Sequence, residues 1–226
     1  MKKNIVFPFV LPILISTQPA FNLFTSNTGS LYLLSFLIFL TIPVARTLQK
    51  YVVMHFGRSA FGYSMLVLIA AGTILVVFSL IKRRADGLSA INLIWIGAVS
   101  GVYLFFTVQL WKSPEEAVHF LEYGVLSYFA YAALRFHVKD ISIFFTAALM
   151  TLFVGTVDEI IQWLVPERYW DIRDVGFNFL GGVLLQIAIY KGFNPRTISR
   201  SIEARSIRTF SIVLGACIVL LGLCAS

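Results

Sequence analysis

Long apolar runs, broken by short clusters of charge, proline and glycine, dominate this chain. Eight can be marked off, at 5–20, 31–45, 64–81, 90–111, 117–136, 141–165, 175–190 and 210–224. None shows the regular apolar–polar alternation of a half-buried strand. A transmembrane barrel would need that alternation in short segments. Most runs reach or approach the roughly 20 apolar residues that a helix needs to cross hydrocarbon. β-branched residues are frequent in them, but in lipid the need to satisfy every backbone group outweighs that weak propensity. The pattern predicts an all-α polytopic transmembrane bundle of seven or eight apolar helices.

Composition supports lipid as the solvent. The 226 residues are 58% apolar and 13% charged, where a soluble domain is nearer half apolar with about a quarter charged. The first run follows Lys2 and Lys3 and contains Pro8 and Pro12. It partly resembles a signal peptide but lacks a clear small-x-small cleavage site, so an uncleaved first helix or a re-entrant segment is expected. Cys217 and Cys224 share one face of the last run, too far apart to bridge each other, and read as packing residues. Gly97 and Gly101 form a small-xxx-small pair that predicts a close helix contact.

The net charge of +7 comes from basic residues in short loops between apolar runs. Such charge sets topology, and no nucleic-acid partner is expected. With eight spans and a cytoplasmic N-terminus, the basic residues would favour the wrong side. The densest clusters are Lys82-Arg83-Arg84 and the five basic residues from Lys191 to Arg208. Placing both in the cytoplasm requires an outside N-terminus or a first segment that does not span. The loops at 112–117 and 166–173 then face away from the cytoplasm. The stretch 192–208 reads as a basic cytoplasmic linker, with an interfacial helix as one form it could take.

Ionisable groups inside a membrane are costly and need partners or a purpose. They are concentrated in the second half. His119, Glu122 and Tyr123 share one face near the start of a helix. Asp158, Glu159 and Gln162 lie near the end of the next. Arg168, Asp171 and Asp174 follow in the loop, with Asn178 a turn into the next helix. Asp174 is placed to cap that helix or to sit at its positive end. Gly181 and Gly182 would let the helix approach its neighbours. Antiparallel order brings all three groups to one side of the membrane. Trp111, Trp163 and Trp170 near that side suggest an aromatic belt at the same depth.

The ordered set His119-x-x-x-Tyr123-x-x-Leu126, Asp158-Glu159-x-x-Gln162-x-x-x-Pro166-x-Arg168 and Asp174-x-x-x-Asn178-x-x-Gly181 resembles the VanZ-like family over roughly residues 91–191. Asp171 departs from the family pattern, which usually has a small polar residue there. The resemblance divides the chain into membrane segments at 1–90, a VanZ-like membrane domain at 91–191, and a basic linker with a last span at 192–226. It implies a multi-pass protein of the cell envelope, in a bacterial inner or plasma membrane. The family's namesake is associated with low-level resistance to the glycopeptide teicoplanin.

Three readings of the constellation stay open. It could be a structural network, with Arg168 paired to Asp158 or Glu159. It could be an enzyme site, with His119 transferring protons, Asp158 or Glu159 as base or orienter, and Arg168 gripping a phosphate of a lipid or lipid-linked envelope component. Glu122, Tyr123, Gln162, Asp174 and Asn178 would then contact substrate. It could also line a transport or lipid-binding path. A metal held by His119, Asp158 and Glu159 is a variant of the enzyme reading. The sequence identifies no metal or cofactor and shows no serine or cysteine in a nucleophile motif.

Overall fold

The computed structural model describes residue 51 and residues 54–83, 89–112, 114–164, 169–195 and 197–225. Its helices are α1 (Arg58–Arg83), α2 (Ala90–Gln109), α3 (Pro114–Leu134), α4 (Ser142–Trp163), α5 (Ile172–Ile187) and α6 (Ala204–Ala225). A single 3₁₀ turn, Leu110–Lys112, follows α2, and a π-helical turn, Ala188–Phe193, extends α5. The expected all-helical architecture is present, and the described residues contain no strand beyond one isolated bridge.

Five helices are long and apolar enough to cross a membrane: Gly62–Lys82, Ala90–Gln109, Ser142–Trp163, Ile172–Phe193 and Ala204–Cys224. The seven or eight expected from hydropathy therefore exceed what the described residues contain. The runs at 5–20 and 31–45, with the fate of the first segment, lie outside those residues. The run at 117–136 does form a helix, α3, but His119, Glu122 and three tyrosines dilute its apolar character.

Burial explains how α3 tolerates this composition. It packs against α4 and α5, which also pack on each other. Phe120, Tyr123, Leu126 and Ala130 of α3 are fully buried. By contrast, only 11% of the α1 and α6 spans is buried, against 56% of the α4 span. The polar helix thus sits at the centre of the described bundle, and α1 and α6, whose spans are the most apolar, are the least covered by the other described helices.

Glycine sets how closely the central helices approach. A Cβ on Gly181 would meet the carbonyl oxygen of Phe120, and one on Gly182 would lie 2.8 Å from Thr151. Interhelical hydrogen bonds then close the seams. Tyr103 donates to the Gly181 carbonyl at 2.5 Å, and Ser127 donates to that of Gly182 at 3.0 Å. The Gln186 amide donates to the Ser127 carbonyl at 2.8 Å and to its hydroxyl at 2.7 Å. Cys217, a buried free thiol, donates to the Leu149 carbonyl at 3.3 Å and ties α6 to α4. Among the described residues, Gly97 and Gly101 do not make the predicted close contact: both are exposed, and no described atom lies within 4 Å of a Cβ built on either.

The linker between α5 and α6 is not an interfacial helix. Asn194 takes a left-handed conformation with φ of 40° and ends the π-helical turn, and Pro195 follows. The chain then runs as a strap beside the α3–α4 turn. Ser199 donates to Lys139 at 2.7 Å, and Ile141 donates to Ser199 at 2.9 Å. Asp140, fully buried, accepts from the backbone N–H groups of Ser142 at 2.9 Å and Glu203 at 3.1 Å. Burial alone would raise its carboxyl pKa. The Ser142 and Ser206 hydroxyls, with these backbone donors, outweigh that and hold it below the ordinary range.

Candidate functional site

The first turns of α3, the last turns of α4 and the first turns of α5 meet at one rim. Asp158 and Glu159 are both buried, and the Gln162 side-chain amide clamps them together. It donates to Asp158 Oδ2 at 2.9 Å and to Glu159 Oε1 at 3.2 Å. His119 Nδ1 lies 3.9 Å from Asp158 Oδ2 and 3.7 Å from Glu122 Oε2. Both distances exceed a direct hydrogen bond and fall within ion-pair range. The side chains of His119 and Glu122 are 26% and 28% exposed, whereas that of Asp158 is 0% exposed. Imidazole and Glu122 therefore form a mouth over a carboxylate floor.

Two buried polar groups here lack hydrogen-bond partners among the described residues: His119 Nδ1 and the side-chain amide of Asn178. Both adjoin Tyr123. The Tyr123 hydroxyl lies beside the Asp158 carboxylate, and the His119 and Tyr123 ring centroids are 6.3 Å apart. Tyr123 and Asn178 meet over Gly155, where a Cβ would lie 3.3 Å from the tyrosine ring and 3.1 Å from Asn178 Cβ. Buried polar groups are usually paired, because an unmade hydrogen bond costs about 1–3 kcal/mol. Both such groups lie together at this rim.

The start of α5 resolves the capping question. Asp171 is the N-cap and accepts from the Arg173 backbone at 2.8 Å, while Asp174 sits in the first turn. Asp171 also holds the Arg173 guanidinium, with the closest contact at 2.5 Å. These side-chain and backbone hydrogen bonds from Arg173 keep the Asp171 carboxyl below its ordinary range. Asp174 is partly buried, within electrostatic reach of Glu116 and His119. Arg168 lies outside the described residues. His119, Asp158 and Glu159 do not converge as a metal-ligand set, and no such set occurs among the described residues.

Sequence reasoning missed the Tyr103–Gly181 bond and the Ser127–Gln186 pair, one level deeper in the bundle. A signal for Gln186 was present, because Asp174, Asn178, Gly182 and Gln186 recur at four-residue spacing and line one helix face.

The helices and the buried polar rim define a multi-pass α-helical membrane protein. The VanZ/LLP1 family model matches residues 30–194, well over half the chain, and the protein belongs to that family. The match contains the 91–191 region and extends further toward the N-terminus. No curated protein matches the chain, and no solved structure does.

Proposed function

We propose that this protein binds and processes a lipid or lipid-linked envelope component through the His119–Asp158 site, approached from the extracytoplasmic face. The carrying observation is the pair of buried polar groups, His119 Nδ1 and the Asn178 amide, that lack hydrogen-bond partners among the described residues and flank the Tyr123–Asp158 contact. A purely structural network is stable only when its members satisfy one another. This one leaves donors and acceptors available to a ligand.

In this reading His119 carries the proton and Asp158 orients it or acts as the base, with Glu159 held beside it by Gln162. The described residues are rich in acceptors, so they suit a headgroup with hydroxyl or amine donors. Any phosphate of that headgroup falls to Arg168. Glu122 and Asp174 line the approach. The site rim carries Glu116, Glu122, Asp171 and Asp174, and its exposed Arg173 is already paired with Asp171. The opposite ends of the helices carry exposed Lys82, Arg135, Lys139, Lys191, Arg200 and Arg205. The positive-inside rule assigns that basic end to the cytoplasm.

One experiment tests both side and role. Tyr169, 87% exposed at the site rim, and Lys139, exposed at the other rim, are each replaced by cysteine in a background lacking Cys217 and Cys224. Intact cells are treated with a bulky, membrane-impermeant maleimide, and lipid co-purifying with the protein is then analysed by mass spectrometry. Tyr169→Cys is expected to be labelled and to lose its bound lipid, and Lys139→Cys to remain unlabelled. Labelling of Lys139→Cys alone would reverse the orientation. Unchanged lipid in fully labelled Tyr169→Cys would remove the site from lipid binding.

A further inference from the structure

A second site lies at the other end of the bundle, where the first turn of α2, the start of α4, the π-helical turn and the strap enclose a cavity of about 250 Å³. Asn92, Trp95, Phe144, Tyr190, Lys191 and Arg200 contribute to its wall. The Lys191 ammonium lies 4.7 Å from the Tyr190 ring centroid and 6.0 Å from that of Trp95. The ion pairs among the described residues involve neither Lys191 nor Arg200. Two cations therefore face one small space whose described lining contains no carboxylate.

The backbone holds both cations in place. Asn92 donates its side-chain amide to the Lys191 carbonyl at 2.8 Å. A Cβ on Gly192 would lie 2.6 Å from Ile96, so the turn is seated directly on α2. The π-helical winding of residues 188–193 places Tyr190 and Lys191 together in the wall, and such turns often occur at functional sites. Arg200 follows Ser199, which is bonded to Lys139 and Ile141 and backed by the buried Asp140.

We infer that this cavity is a binding site for a phosphate anion at the membrane surface, with Lys191 and Arg200 as its cationic grips. Basic pockets between transmembrane helices take phospholipid headgroups. The volume falls below the roughly 300–1,000 Å³ of pockets that enclose whole drug-sized ligands. A headgroup fits, and the aromatic side chains supply the amphipathic wall common at membrane interfaces. The site uses none of the residues of the His119–Asp158 constellation, so it stands or falls separately.

The test is native mass spectrometry of the purified full chain in detergent, with phosphatidylglycerol and phosphatidylcholine of identical acyl chains in competition. The wild type is expected to retain phosphatidylglycerol preferentially, and the double variant K191Q/R200Q to lose about tenfold in that preference. R205Q/R208Q, which removes two basic residues outside the cavity wall, is expected to keep it. Inorganic phosphate is added in a second arm. Displacement of the lipid means that the cavity accepts the free anion, and no displacement means that it requires phosphate borne on lipid; either outcome supports a phosphate site. No preference in the wild type, a preference surviving K191Q/R200Q, or an equal loss in R205Q/R208Q would overturn it.

Discussion

Asp158→Asn is expected to reduce the protein's cellular activity by about 100-fold or more, the usual scale for losing an acid–base partner, while its abundance in the membrane stays near wild type. The substitution separates charge from shape. Asparagine retains a carbonyl oxygen where Gln162 now donates at 2.9 Å to Asp158 Oδ2. What disappears is the negative charge 3.9 Å from His119 Nδ1. A structural network would tolerate this exchange well, because its hydrogen bond survives. A proton-transferring site would not, because it needs a proton acceptor beside the imidazole and the neutral amide is a poor one. Complementation of a deletion strain, with immunoblotting of membranes, reads both quantities. Full complementation by Asp158→Asn would count against chemistry at this site.

The second large effect concerns folding. Gly181→Val is expected to destabilise the protein by at least about 1–3 kcal/mol, the usual cost of overpacking a well-packed interior. The new Cβ would meet the Phe120 carbonyl oxygen, a backbone atom that cannot rotate away. α3 and α5 would have to separate, weakening the Tyr103–Gly181 bond and disturbing the placement of Asn178 beside Tyr123. Gly97→Ala is the matched control, with no described atom within 4 Å of the added carbon. It is expected to change stability by no more than about 0.5 kcal/mol or to improve it slightly, since alanine favours helix. Thermal aggregation of the detergent-solubilised variants distinguishes the two. Equal behaviour would mean that the α3–α5 seam does not depend on glycine at 181.

This contrast shows where sequence reasoning reached and where it stopped. Hydropathy located the described spans because crossing lipid demands long apolar runs whatever the tertiary arrangement. It placed several helix starts too late, since α6 begins at Ala204 and α3 at Pro114, where charged residues extend the helix beyond its apolar stretch. Small-residue spacing could not separate Gly97 and Gly101 from Gly181 and Gly182. Which face meets protein and which meets lipid is decided by the whole bundle.

The convergence of His119, Glu122, Asp158, Glu159 and Gln162 was legible because offsets of three and four fix a helix face, and antiparallel order fixes an end. The expected approach of His119 across helices is present, at 3.9 Å from Asp158, and the pairing expected of Arg168 lies outside the described residues. Gln162 and Asn178 were expected to satisfy backbone groups; instead Gln162 clamps two carboxylates of its own helix, and Asn178 makes no side-chain hydrogen bond among the described residues. The role of Asp140 was equally hidden. In sequence it is one loop acid, and only the strap's return past Lys139 and Ile141 makes it a buried anchor.

The proposed function has His119, Asn178 and the Tyr123–Asp158 contact present polar groups to a ligand. It is tested most directly by a cryo-electron microscopy map of the protein purified with its native lipids. The account predicts non-protein density within hydrogen-bonding distance of His119, the Tyr123 hydroxyl and the Asn178 amide. A map with His119 and the Asn178 amide bonded to each other or to neighbouring helices, and no density beside them, would contradict it.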